Sequence, residues 1–349
     1  MVQPPRLHPP TIADVARAAK VSLATVSRVM NGKSTVDPVL AERVREAALS
    51  LHYSASPLAR SLVLGKTLTV AVVVPDLANP TFQGALRGLS TGASRDGYHV
   101  LIADSSEKVE EEQLLALEAR RRCDGIVLCA PRMSGAELGA LLPLLAPVVL
   151  INRDPAPARA PFVAADYGAG LAQQLAHLDE LGHRHMVFLS GSTRSASNAN
   201  RLAAVQEFID AKPGTRVEVM AGGVSIEDGS AAADRVIESG ATAVLAFNDL
   251  VAIGLQNALI ERGVRVPEQV SIAGFDDIPF ARYTTPALTT AAVPVEELGE
   301  QAWSRLNDLL AGHTPAHDVS YVPRLEVRGS TGPAPADSAR SGPAPSVRS

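Results

Sequence analysis

TIADVARAAKVSLATVSRVMN, residues 11–31, is the stretch on which the reading of the whole chain turns. Ile12, Val15 and Ala16 fall at i, i+3 and i+4, one apolar face of a helix. After the break Ala19-Lys20-Val21, Ser22 is a good N-cap for a second short helix, whose apolar stripe continues through Val26 and Val29. Two short helices with a tight joint suit a helix-turn-helix. Leu23, Ala24, Thr25, Ser27 and Arg28 then lie off the core stripe: short side chains able to approach a base edge, and one long cation. The same spacing also fits a plain helical hairpin of a small α domain.

Outward from this stretch, Asn31-Gly32-Lys33 reads as a turn, and Asp37-Pro38 as an N-cap with proline in the first helical position. A third helix is expected to about Leu51, with Leu40, Val44, Ala47, Ala48 and Leu51 inward, so that residues 11–55 make a three-helix headpiece. Residues 56–66 read as a linker or a short helix capped by Ser56 and Pro57. Residues 1–10 and 332–349, rich in Pro, Ala, Ser and Arg, are expected to be disordered tails. Charge divides the chain the same way. Residues 1–66 carry nine Lys and Arg against four Asp and Glu, a net +5, and the remaining 23 against 33 leave a net −10. A basic head on an acidic body fits a nucleic-acid-binding module joined to something else.

From Leu68 the pattern changes. Short β-branched runs at residues 68–75, 98–104, 125–131, 147–153, 185–191, 243–249 and 271–277 alternate with helical stretches. The helices expected are Phe82–Arg95, Glu110–Arg121, Ala169–Leu181, Asn200–Ala211, Ser225–Ser239 and Leu250–Arg262. Apolar strands alternating with helices mean parallel sheets covered on both faces. So many units exceed one sheet, and two doubly wound subdomains with a ligand cleft at the carboxyl ends of their strands are expected. Asp76, Asn79, Phe82, Asn152, Arg153, Asp154, Arg201, Asn248, Asp249, Asp276 and Asp277 all sit at such strand ends or beside them. Carboxylates, amides and arginines beside an aromatic suit a polyhydroxylated ligand. Local capping is the competing reading, for Asp249 above all.

Other classes find less support. No apolar run reaches the ~18 residues of a membrane span, and MVQPPRLHPP lacks the apolar core of a signal peptide. Cys123 and Cys129 alone argue for a reducing, cytoplasmic setting without a disulfide framework, and their spacing makes a poor metal site. There is no phosphate-binding G-x-x-x-x-G-K-[ST] and no nucleophile elbow G-x-S-x-G. No catalytic residue, metal or cofactor is expected.

Ala13–Ala16, Val21-Ser22 and Thr25–Asn31 resemble the headpiece of the LacI/GalR family of bacterial transcriptional regulators. Leu68–Pro80, Leu181–Arg184, Asn248-Asp249 and Gly274–Asp277 extend the resemblance through the body, which is also similar to periplasmic sugar-binding proteins. The resemblance implies a small all-α helix-turn-helix headpiece followed by an α/β body of two doubly wound parallel-sheet subdomains. Their implied bounds are residues 67–164 plus 293–320 and residues 165–292 plus 321–331. It implies a repressor that binds a near-palindromic double-stranded operator as a homodimer or higher oligomer, through Thr11, Ser22, Leu23, Ala24, Thr25, Ser27, Arg28 and Asn31. Ala59–Leu62 matches the family's hinge helix, with Leu62 wedged into the minor groove, although Ala55-Ser56 stands where Pro-Asn is usual. It further implies a sugar-like effector held by Asn79, Phe82, Asn152, Arg153, Arg201, Asn248 and Asp276. Thr81 and Val224 depart from the aromatics usual at their positions. The alternative is a periplasmic-type sugar-binding protein without a regulatory role, which would need a signal peptide and no headpiece.

Overall fold

A computed structural model describes residues 10–30, 36–53, 65–156 and 158–336, and the chain divides into a head, residues 1–68, and a body, residues 69–349. The expectations for Asn31, for the linker from Ser56 to Leu62 and for most of both tails lie outside the described residues.

In the head, Thr11 caps α1 (Ile12–Ala19) in a reciprocal box: its hydroxyl accepts the Asp14 N–H, and Asp14 accepts the Thr11 N–H. Lys20, at φ 54°, ends the helix. Ser22 then starts α2 (Leu23–Met30) by accepting the Thr25 N–H at 3.1 Å. Asp37 caps α3 (Pro38–Ser50) through the amides of Val39 and Leu40. Val15, Ala16 and Ala19 of α1, Val26 and Val29 of α2, and Ala41, Val44, Ala47 and Ala48 of α3 form one core. Leu40 is only half-buried: the helix starts so that Ala41, not Leu40, falls on the same face as Val44 and Ala48. Arg43 closes the bundle by donating to the Ala19 carbonyl.

The body holds two six-stranded sheets. The first runs β11 (Val319–Tyr321), β5 (Phe162–Ala165), β4 (Val148–Ile151), β3 (Gly125–Cys129), β1 (Thr69–Val74), β2 (His99–Asp104). The second runs β12 (Arg324–Glu326), β10 (Thr289–Ala292), β9 (Ser271–Asp276), β8 (Ala243–Ala246), β6 (His185–Ser190), β7 (Arg216–Ala221). Every pairing is parallel except β10 with β12. The buried strands are the continuous apolar runs of the sequence. Edge strand β7 alternates exposure, and β5, β10, β11 and β12 are three or four residues long, so none of these makes a long apolar run.

The helices of the first subdomain are α4 (Pro80–Arg95), α5 (Val109–Arg120), α6 (Gly135–Leu145) and α12 (Val295–Leu310). Those of the second are α7 (Tyr167–Glu180), α8 (Ala196–Ala211), α9 (Ile226–Ala231), α10 (Ala233–Ser239) and α11 (Asp249–Glu261). The single helix expected over Ser225–Ser239 is broken at Ala232, and α8 begins earlier than expected, because Ser195 caps it. The tail expected from residue 332 starts too early. Gly332 still bonds to Ser271 and His183, and the Ala334 N–H donates to Leu181 O at 2.8 Å.

Helices α4 and α12 meet backbone to backbone. A Cβ on Gly299 would lie 2.0 Å from Ala85 O, and one on Gly88 1.9 Å from Glu296 O. Gly299→Ala must therefore push the pair apart. It should lower the stability of the body by about 1–3 kcal/mol, read as a shift of its urea midpoint with the head's own unfolding unchanged.

Candidate functional site

Two surfaces stand out, one on each unit. On the head, α2 is anchored by Val26 and Val29, which leaves Ser22, Ala24 and Arg28 exposed and Leu23 52% exposed. Thr25 and Ser27 are half-buried, and the Thr25 hydroxyl is 2.9 Å from that of Ser22. An exposed leucine and alanine beside an arginine on one short helix can meet thymine methyls and a guanine edge.

On the body, strand order reverses between β1 and β3 in one sheet and between β6 and β8 in the other. Loops leaving the strands at such a reversal diverge to opposite faces and open a crevice. The two crevices face each other. Asp76, Asn79, Thr81, Phe82, Glu107, Ala130, Arg132 and Asn152 from the first subdomain, and Tyr167, Ser197, Arg201, Val224, Phe247, Asn248 and Asp276 from the second, enclose a cavity of about 30 Å³. That is the room of about one water, far below the ~300–1,000 Å³ of usual ligand sites, so a ligand of usual size enters only if the halves part. Six of the seven residues expected to hold an effector line this one cavity. The seventh, Arg153, turns away, donating to Met133 O at 3.0 Å.

Arg201 is the centre of the cavity wall. It is 1% exposed, and its guanidinium carbon lies 4.0 Å from the ring centre of Phe275, 4.4 Å from Tyr167 and 4.6 Å from Phe247. Nε and Nη1 have no hydrogen-bond partner. Burial pulls its pKa down to about 10, against the pull of Asp276 and Tyr167. Burial also pushes Asp276 up to about 6, although Arg201 and a 2.8 Å bond from the Thr81 hydroxyl favour its charged form. That bond joins the two subdomains, and it uses the position where an aromatic is usual.

The amides are held by capping. Asn79 accepts the Thr81 N–H, and Asn248 accepts the Val251 N–H while donating to Val224 O at 2.9 Å. Asn152 donates to the Tyr167 hydroxyl at 2.8 Å and accepts the Ala165 N–H. Asp249 does not cap α11. It is fully buried, accepts the Thr290 hydroxyl and the Ile278 N–H, and so clamps the turn that presents Asp276; burial and the nearby Asp276 push its pKa well up.

Arg132 was not singled out by the sequence. It donates to both oxygens of Glu107, at 2.6 and 2.7 Å. Buried Glu112 accepts the amides of Arg132 and Met133 and so fixes the loop that carries Arg132 into the cavity. Burial drives Glu112 up to about 7, partly countered by those amides and by Arg132. Tyr167, Phe247 and Phe275 are aromatics in or beside apolar runs, with no local sign that three of them enclose one arginine. Among the described residues there is no cluster of three metal-ligating side chains, and no helix is long and apolar enough to cross a membrane.

Comparison with known proteins covers both units. Residues 11–56 match the family described as bacterial regulatory proteins, lacI family, and residues 175–331 a periplasmic binding protein-like domain. The chain is 33% identical over 311 residues to the HTH-type transcriptional regulator AscG of Escherichia coli (strain K12), covering 86% of this chain and 92% of that one. It is 31% identical over 303 residues to the HTH-type transcriptional repressor PurR of Vibrio atlanticus (strain LGP32), covering 85% and 90%. A lac repressor dimer bound to operator and the anti-inducer ONPF superposes with a TM-score of 0.84 at 25% identity, over 93% of this chain and 100% of that one.

Glu112 gives a pH test of the loop that carries Arg132. Its pKa is raised on folding from the usual 4.5 to about 7, so its contribution to stability is full below 4.5 and is lost as pH rises through 7. Glu112→Gln should therefore flatten the decline of the body's unfolding free energy between pH 5 and 7.5 by about 2 kcal/mol, measured by urea titration at both pH values. An equally steep decline in the variant would mean that other groups carry it.

Proposed function

The chain belongs to the lacI family of bacterial regulatory proteins, and on that premise we propose that it is a DNA-binding repressor whose operator affinity is set by a sugar-like effector in the body. The observation that carries the DNA-binding part is the exposed face of α2, with Leu23, Ala24 and Arg28 outward over an apolar anchor. The second helix of such a motif lies in the major groove, and one headpiece reads one half-site. On this reading the chain acts as a homodimer on a near-palindromic operator. Thr11, Ser22, Thr25, Ser27 and Asn31 would serve the phosphates and the edges of the site, and Leu62 the minor groove at the operator centre.

The effector part rests on the unpaired guanidinium nitrogens of Arg201 beside the Asp276 carboxyl. A buried donor without a partner is costly, and a hydroxylated ligand that supplies acceptors offsets that cost. Asn79, Asn152 and Asn248 add polar edges, and Phe82 an apolar face. Effector binding that parts or closes the cleft changes the free energy of the DNA-competent state, a coupling between two sites.

Two substitutions test the two halves separately. Arg28→Ala should cost about 1–3 kcal/mol of operator affinity and relax sequence preference at one symmetric pair of positions, read by selection from a library of near-palindromic duplexes. Uniform weakening across all sequences would reduce Arg28 to a phosphate contact. Asp276→Asn keeps the shape and removes the charge. It should weaken the tightest-binding member of a mono- and disaccharide panel by roughly 1.5–3 kcal/mol in calorimetry, with operator affinity in the absence of sugar near that of the parent. Unchanged sugar binding in the variant would place the effector elsewhere.

A further inference from the structure

Beside the central cavity lies a second hollow, about 270 Å³, lined by Arg132, Arg153 and Arg194 with Ser134, Thr193 and Ser195. Arg132 lines both, so the two spaces adjoin. No carboxylate lines this hollow.

The three arginines are not equivalent. Arg132 is neutralised by the two-point pair with Glu107. Arg153 and Arg194 have no carboxylate within 4 Å among the described residues. Arg153 is half-buried, and the one hydrogen bond it donates goes to a neutral carbonyl. Glu112 and Asp154 act on it only from a distance, and burial lowers its pKa all the same. Arg194 is exposed and makes no ion pair among the described residues; it attracts Glu137 only from a distance, and Glu137 is already engaged by the Ser134 N–H at 2.7 Å. Arg153 follows β4 in the first subdomain, whereas Arg194 lies in the loop after β6 in the second. Two like charges therefore face one hollow from opposite halves of the cleft. Without an anion they oppose closure, and with one they favour it. The N-terminal end of α8, capped by Ser195, opens on the same space and adds its partial positive charge.

We propose that this hollow is an anion subsite of the effector site, and that the effector is a phosphorylated sugar whose phosphate lies between Arg153 and Arg194 while its ring lies beside Arg201 and Asp276. The proposal rests on the reading of the cleft as an effector site. Phosphate is favoured over carboxylate by charge: a phosphate monoester carries about −1.5 to −2 near pH 7, matching two guanidinium groups that have no direct ion pair. It also offers several oxygens to guanidinium forks. On this view Arg153 belongs to the phosphate end of the site, which explains why it alone of the seven expected residues points away from the central cavity.

Calorimetry on the full chain tests this, with a panel of hexose 6-phosphates and pentose 5-phosphates, their neutral parents, the matching uronic acids, and inorganic phosphate. At least one sugar phosphate should bind tenfold or more tighter than its neutral parent. Arg153→Ala and Arg194→Ala should each bring that ratio towards one, and Arg194→Lys should keep most of it. Thermal unfolding and operator binding of each variant without added ligand show whether it is folded. A neutral sugar that binds as tightly as its phosphate overturns the anion subsite and leaves the sugar site standing. Uronic acids that match the phosphates overturn the assignment to phosphate. Inorganic phosphate bound in the parent and lost in both alanine variants, with no sugar bound in either form, supports the subsite and overturns the sugar reading. No binding by any probe overturns both.

Discussion

The body is organised around a cation that should not be cheap to bury. The Arg201 guanidinium is out of contact with water, and two of its nitrogens lack any hydrogen-bond partner. Desolvating such a charge costs several kcal/mol. Three ring faces at 4.0–4.6 Å return part of that, at about 0.5–2 kcal/mol for each cation–π contact. The carboxyl of Asp276 supplies a further attraction. The rings come from three places, the start of α7, the turn after β8 and strand β9, so their common contact with Arg201 ties these elements into one wall. Space for them is left by glycine. A Cβ on Gly170 would meet the Phe275 ring at 2.6 Å, and one on Gly191 the Phe247 ring at 2.5 Å.

Backbone strain collects at the same place. Ala130, Asn152, Asp276 and Asp277 have φ of 45°, 55°, 107° and 57°, all where a strand ends at the cleft. Side chains rarely adopt such values, and residues held there are over-determined by their surroundings. The surroundings are visible. Asn152 is held by Tyr167 and Ala165, and the turn after Asp276 by buried Asp249 and by Arg328, which donates to Asp277 at 2.6 Å. The strand ends are thereby turned so that Asn152 and Asp276 face into the cavity instead of following their strands.

A cavity with room for about one water, bridged by the bond from Thr81 to Asp276, gives the body an element that must change for a ligand to enter. The bond has one partner from each subdomain, and Asp276 is also the charge nearest Arg201 in effect. A ligand that competes for Asp276 therefore acts on the position of the subdomains as well as on its own affinity.

The sequence by itself determined the units and most of their elements. Helical spacing in residues 11–31 and the caps Ser22 and Asp37 fix the head, because caps and periodicity are local. The apolar runs fix the inner strands, because a strand buried on both faces has to be apolar throughout. Strand ends then point to Asn79, Asn152, Arg201, Asn248 and Asp276. Tertiary structure decided what local pattern does not encode. The edge strands β7 and β11 and the short inner strand β10 make no long apolar run, since their place in a sheet is set by partners distant in the chain. Phe247 and Phe275 look like core residues in the sequence and become walls of an arginine's box only when their strands lie side by side. Arg132 enters the cavity through Glu107 and Glu112, and Arg153 leaves it for a hollow shared with Arg194 across the cleft. Charge and burial at these positions are sums over neighbours brought together by the fold, so residue type alone could nominate them but not say which way they face.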